Sequence, residues 1–274
     1  MLDHGPLSDA CANGKILPLY ILEPDLWRQP DVSFRHFLHL QHYLSQLDDM
    51  FIKKGSKLVI KVGEALPVLK SLATRHNVKA IFSHYETWNK FSKDRDSAIR
   101  KWTDENSIDW KEYQQNGVVR NLNSRDGWST LWHDHMRKKI YEVPEKILCI
   151  SEDSDNLPSC QDMALEFDGF EPNTNLGKIE PGIVLKSFLT ERGENYQREM
   201  SGPLLSADSC SRLSTHIAFG TISVRTIFQR TQEQNKNRLD PAGDKLKNWR
   251  ASYNSFQKRL RWHCHFIQKL EDLR

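Results

Sequence analysis

Short apolar runs separated by amphipathic stretches of helical length dominate the first third of the chain, and few folds accommodate that rhythm. Residues 16–22 read as a buried strand, bounded by Lys15 and by the turn Glu23-Pro24-Asp25. Across residues 33–54, Phe34, Phe37, Leu38, Leu40, Tyr43, Leu44 and Leu47 recur at close to 3.6 residues, which predicts a helix stopped by Gly55. Residues 58–62 form the next predicted strand, and 64–75 the next helix, with Leu66, Val68, Leu69 and Leu72 facing inward. A third strand is predicted over 78–83 and a charged helix from about Ser92 to Asn106, with Ile108-Asp109-Trp110 and Gly117-Val118-Val119 as edge elements. Strands that recur after helices of this length predict right-handed crossovers and a parallel sheet covered on both faces.

The rhythm is lost over residues 127–186, which hold Pro144, Pro158, Pro172 and Pro181 among many Ser, Asp and Asn. That stretch reads as an extended surface connection. Beyond it the pattern is helical. The expected organisation is a Rossmann-like parallel α/β domain over 1–126, an interdomain linker over 127–186, and the first helices of an all-helical domain over 187–274. There is no internal repeat.

Composition narrows the function classes. Apolar residues make up 38% and charged residues 27% of the 274, as in a globular protein. No stretch approaches the roughly 18–20 apolar residues that span a bilayer. The start, Met1-Leu2-Asp3-His4-Gly5-Pro6, is polar and turn-like, unlike an export signal. Cys11, Cys149, Cys160, Cys210 and Cys264 are odd in number and scattered, which argues against a disulfide framework or a zinc ribbon and for a reducing, cytoplasmic setting. Net charge is only +3, yet Lys and Arg clearly outnumber Asp and Glu from Gln229 onward. That local basic field faces nucleic acid or is solvated helix surface.

Three segments are candidates for chemistry. Asp208-Ser209-Cys210-Ser211-Arg212-Leu213-Ser214 precedes a helical pattern running through Ile217 and Ala218 to Phe219-Gly220. Hydroxyls beside the free N–H groups of a helix start suit a phosphate or diphosphate, and the alternative is an ordinary helix cap. Upstream lies Tyr196, between the basic Arg192 and Arg198, able to pack on a planar ligand or merely on a neighbouring helix. The third segment, residues 255–266, sets Trp262 among Arg259, Arg261, His263 and His265, which suits stacking on a base or a core position with a basic outer face. No functional metal is expected. His36, His39 and His42 share a helix face only approximately, and the alternating pairs His133/His135 and His263/His265 lack a carboxylate at helical spacing. No nucleophile elbow, P-loop or dinucleotide fingerprint is present.

Together these segments resemble the photolyase and cryptochrome family of blue-light flavoproteins. Residues 15–24, KILPLYILEP, look like the family's second strand and its turn. Ser209-Cys210-Ser211-Arg212-Leu213-Ser214, followed by Phe219-Gly220-Thr221-Ile222-Ser223-Val224-Arg225, looks like its flavin signature, with Cys210 standing where threonine is common. Residues 260–266, LRWHCHF, resemble the helix lining both flavin and DNA lesion, with Arg259 about where the family often has a carboxylate. The resemblance implies FAD bound bent in a helical domain, with Tyr196, Cys210, Ser211, Arg212, Leu213 and Ser214 meeting its phosphates and ribityl chain. It implies DNA containing pyrimidine dimers as the partner, with Arg198, Arg259, Trp262 and His263 on that side. It further implies light-driven dimer repair by electron transfer from reduced FAD, and an antenna chromophore of unknown identity in the α/β domain. By the family's pattern the first strand is missing and the chain stops about halfway, so weak FAD binding and a second chain completing the helical domain are expected. Two other readings of the same residues are a blue-light sensor that does not repair DNA, and a non-catalytic DNA-binding remnant.

Overall fold

A computed structural model describes residues 1–167, 169, 179–238 and 244–272. The chain forms two compact units. One holds Asp3–Tyr113 with the described part of Tyr141–Pro172; the other holds Gln114–Ile140 and the described residues from 179 onward.

The first unit is α/β with parallel strands. Its elements are α1 (Gly5–Asn13), β1 (Leu19–Leu22), α2 (Phe34–Ile52), β2 (Val59–Val62), α3 (Ala65–His76), β3 (Ala80–His84), α4 (Lys90–Glu105) and β4 (Asp109–Tyr113). Local chemistry sets the helix ends. The Ser33 hydroxyl accepts from the His36 N–H and caps α2, and the Asn89 side chain accepts from the Ser92 N–H at 3.1 Å and caps α4. Asn77 closes α3 in the left-handed region (φ 50°). β1 pairs in parallel with β2, Leu19 opposite Val59, and β3 with β4, Ala80 opposite Asp109. Among the described residues these are two separate ribbons, each strand having one strand partner. A core of Ala65, Ile99, Trp102 and Ile108 lies under Ile21, Ile81 and Trp110.

Residues 148–155 lace this unit together in extended form. Ile16 donates to the Leu148 carbonyl at 2.8 Å and accepts from the Ile150 N–H at 2.9 Å, and Asp155 donates to the Ile60 carbonyl at 2.8 Å. The buried Glu152 carboxylate meets Lys61 Nζ at 2.9 Å, Arg75 Nη1 at 2.6 Å and His76 Nε2 at 2.6 Å.

The second unit is helical: α5 (Trp128–Arg137), α6 (Pro181–Ser187) continuing into a π-helical turn (Phe188–Arg192), α7 (Tyr196–Glu199), α8 (Ser206–Ser209), α9 (Ser214–Ala218), α10 (Val224–Asn237) and α11 (Asp244–Asp272). Within the stretch read from the sequence as extended linker, α5 is a helix, and it buries Trp128, Trp132, His135 and Met136. Those residues stand at i, i+4, i+7 and i+8, an apolar stripe that packs against α10, where Trp132 meets Phe228 edge-on with ring centroids 5.2 Å apart. Gly117-Val118-Val119 is not a strand. Instead the Val119 backbone is held in both directions by the buried Gln268 side chain, which accepts from its N–H at 2.7 Å and donates to its carbonyl at 2.9 Å. Of the expected linker, residues 168 and 170–178 lie outside the described residues. Among the described residues no helix is long and apolar enough to cross a membrane.

Candidate functional site

The serine-rich segment emerges in the second unit as a short loop between two helices of four and five residues. Cys210 is extended (φ −77°, ψ 156°) and ends α8. Arg212 turns the chain with φ 60°, and Leu213 follows at φ −98°, ψ −1°. A left-handed residue followed by a right-handed one curls successive N–H groups towards one concave face, an arrangement that binds anions. Leu213 is fully buried and anchors the loop in the core, Ser211 is half-buried, and Arg212 and Ser214 are exposed. Among the described residues no acceptor meets the N–H groups of Ser211, Arg212, Leu213 or Ser214. With only five residues, α9 carries little macrodipole; the loop's own N–H groups are the donors that matter.

The back of the loop is held by Arg192, the last residue of the π-helical turn. Its guanidinium donates to the carbonyls of Cys210 and of Ser211 (2.7 Å), and also to those of Val184 (3.3 Å) and Asp208 (3.5 Å). Burial, with the neighbouring Arg212 charge, pulls its pKa below the ordinary value. Gly193 makes the turn possible, because a Cβ there would lie 2.4 Å from the Phe188 carbonyl oxygen. The Arg212 guanidinium folds back on the Ala207 carbonyl, Nε at 3.0 Å.

Tyr196, the first residue of α7, stands edge-on to Phe188 (5.4 Å) and Phe256 (5.8 Å) and is buried. Burial, reinforced by the nearby Cys210 thiol and opposed by the Arg259 charge, pushes its hydroxyl up to about 12, so it is a neutral hydrogen-bonding group near neutrality. Arg259 in turn lies over the Trp262 ring, 4.6 Å from its centroid, and Trp262 is 48% exposed. Tyr196 thus feels both Cys210 of the loop and Arg259 of α11, and Arg259 in turn covers Trp262. Arg198 is exposed on α7, and His263 is half-buried on α11 with its pKa lowered by burial. No contact among the described residues ties either of these to the loop.

Arg192 and Gly193 shape the loop, and the motif alone misses them. The sequence shows Arg192 only as a basic neighbour of Tyr196, because its partners lie up to 19 residues away. Among the described residues no group of three or more His, Cys, Asp or Glu is placed to hold a metal.

The DNA photolyase family model matches residues 1–126. The chain is 23% identical over 279 aligned positions to the chloroplastic/mitochondrial cryptochrome DASH of Arabidopsis thaliana, which covers 87% of this chain and 46% of that protein. It is 24% identical over 202 positions to a deoxyribodipyrimidine photo-lyase of Halobacterium salinarum, covering 68% and 41%. Among solved structures, a Synechocystis cryptochrome superposes with a TM-score of 0.76 at 18% identity, over 97% of this chain and 58% of that one. A class III photolyase from Agrobacterium tumefaciens gives 0.65 at 18%, covering 97% and 57%. An archaeal photolyase from Sulfolobus tokodaii, solved with two FAD molecules, gives 0.56 at 22%, covering 96% and 57%. The fold is therefore that of photolyases and cryptochromes. The chain spans about half the length of the curated relatives it matches.

Proposed function

We propose that this chain supplies the diphosphate-binding half of an FAD site in a photolyase-type protein acting on DNA that contains pyrimidine dimers. The observation that carries the reading is the run of N–H groups from Ser211 to Ser214, without protein acceptors among the described residues and backed by the half-buried Arg192 guanidinium. That donor set fits the diphosphate of FAD, the cofactor that the likeness to photolyases and cryptochromes implies. Loop N–H groups and the Ser211 and Ser214 hydroxyls would hold the phosphates, with the neutral Tyr196 hydroxyl and the Cys210 thiol at the edge. A thiol donates more weakly than a hydroxyl, so Cys210 contributes less than serine or threonine would there. When bound, FAD would supply the light-driven one-electron chemistry that splitting a pyrimidine dimer requires.

On the DNA side, the exposed Trp262 ring with Arg259 stacked on it offers a flat surface and a charge to a base turned out of the helix. A base stacked on an aromatic ring gains roughly 1–3 kcal/mol. Enclosure of the flavin ring would fall to a further polypeptide segment, because one face of α11 leaves Trp262, Phe266 and Leu270 about half exposed. We identify an antenna chromophore only by family, as a ligand of the α/β unit.

Light sensing without repair is the second reading. It is favoured by the likeness to the Synechocystis and Arabidopsis cryptochromes and by Arg259 in place of a carboxylate. Two measurements decide. After incubation with excess FAD and gel filtration, the chain alone is expected to emerge nearly colourless, whereas stoichiometric flavin would overturn the half-site reading. In gel-shift experiments a dimer-containing oligonucleotide is expected to be retained over its undamaged twin, with affinity falling as salt rises. No retention of either oligonucleotide favours the sensor, and equal salt-sensitive retention favours a non-catalytic DNA-binding remnant.

A further inference from the structure

All five N–H donors of the Arg192 guanidinium are engaged by this chain. Nε donates to the Ser187 hydroxyl at 3.3 Å, Nη1 to the carbonyls of Cys210 and Asp208, and Nη2 to those of Ser211 and Val184. A cation so occupied has no donor left for a ligand. Its geometry nonetheless acts on the ligand face of the loop. Across a trans peptide the N–H of one residue points opposite to the carbonyl of the residue before it. Fixing the Cys210 and Ser211 carbonyls on Arg192 therefore turns the Ser211 and Arg212 N–H groups away from it, onto the concave side shared with Leu213 and Ser214. A positive charge at the carbonyl end also polarises both peptides and leaves their N–H ends more positive.

We propose that Arg192 is a positioning residue for diphosphate recognition: it touches no ligand, holds Arg212 in its left-handed conformation and aims the Ser211–Ser214 N–H groups at the phosphates. This rests on the reading that the loop meets a diphosphate. Charge alone is insufficient for the role. Lysine keeps the charge but has three donors on a single nitrogen and lacks the planar fork that spans four carbonyls.

The test is heteronuclear NMR on the full 274-residue chain, on Arg192→Lys and on Arg192→Gln. Without ligand, the backbone shifts of Arg212 are expected to show the left-handed conformation in the unmodified chain and to lose it in both variants. Retention of that conformation in a folded variant overturns the proposal. The Arg192 side-chain N–H signals of the unmodified chain supply a check that needs no variant. They are expected to exchange slowly with water, and exchange at the rate of free arginine overturns the proposal. With ADP as a diphosphate probe, the Ser211–Ser214 amides are expected to shift, with affinity about tenfold weaker in each variant, while weak binding of phosphate-free riboflavin is the same in all three. Variants that bind ADP like the unmodified chain overturn the proposal. An unmodified chain that ignores ADP overturns the diphosphate reading instead, and the ligand-free spectra still decide whether Arg192 positions the loop.

Discussion

Replacing Gly117 with alanine is expected to destabilise the second unit by about 3 kcal/mol or more, at the severe end of overpacking. Nothing about the Gly117 backbone requires glycine; the space around it does. A Cβ there would lie 1.9 Å from Cδ1 and 2.4 Å from Nε1 of Trp132, a fully buried ring. The indole cannot withdraw cheaply, because Phe228 meets it edge-on and Met136 is also fully buried in the same core. Nor can the backbone lift away. Trp128 Nε1 donates to the Gly117 carbonyl at 3.1 Å, and two residues on Gln268 grips Val119 in both directions. Urea unfolding followed by tryptophan fluorescence measures the loss. Because the fault is one of space, Trp132→Leu in the same chain should recover part of it, a non-additivity expected only of residues in contact. A Gly117→Ala chain that unfolds at the unmodified midpoint would mean that the two indoles do not enclose Gly117 as described.

That enclosure also shows why some features were legible in the sequence and others were not. The α/β rhythm was legible because each element is decided by its own residues. The period of Phe37, Leu40 and Leu44 makes α2, and a left-handed asparagine one residue after His76 ends α3. The serine-rich loop was legible as a run of residues, whereas its left-handed turn at Arg212 was not. Three features were not legible, two because they depend on contacts far apart in sequence and one because its local signal is short. Residues 114–140 join the C-terminal helices through Val119 and Gln268, 149 positions apart. The apolar stripe of α5 is only ten residues long and lies among prolines and polar residues, where a loop is the natural reading. Arg192 resembles any surface arginine until the carbonyls it collects are in place. The division of the chain follows from the same cause. A boundary drawn where periodicity fades cannot foresee that the segment beginning at Tyr141 returns to the first unit while the segment before it does not.

The returning segment carries the second large effect, an acid-sensitive clamp centred on Glu152. Its carboxylate is 2% exposed and is held by Lys61, His76 and Arg75, Lys61 and His76 contributing most to keeping its pKa well below the usual carboxylate range, at about 2. A carboxyl group whose pKa is lower folded than unfolded binds its proton more readily in the unfolded chain. The stability it contributes is therefore complete above the ordinary value of 4.5 and is lost as pH falls from there towards 2. Glu152→Gln should remove the effect at every pH and leave the partially buried Lys61 without its nearest counter-charge. We expect a loss of roughly 2 kcal/mol at neutral pH, below the ~3–5 kcal/mol of a fully buried pair because Arg75 is more than half exposed and stays solvated. The consequence is a convergence of the two stability curves at acid pH. Urea midpoints of the two proteins should differ most near neutrality and converge as pH falls below about 4.5, since protonated Glu152 is electrostatically equivalent to glutamine. A gap that stays constant down to pH 3 would show that the Glu152 side chain acts through shape and packing, with its charge contributing nothing.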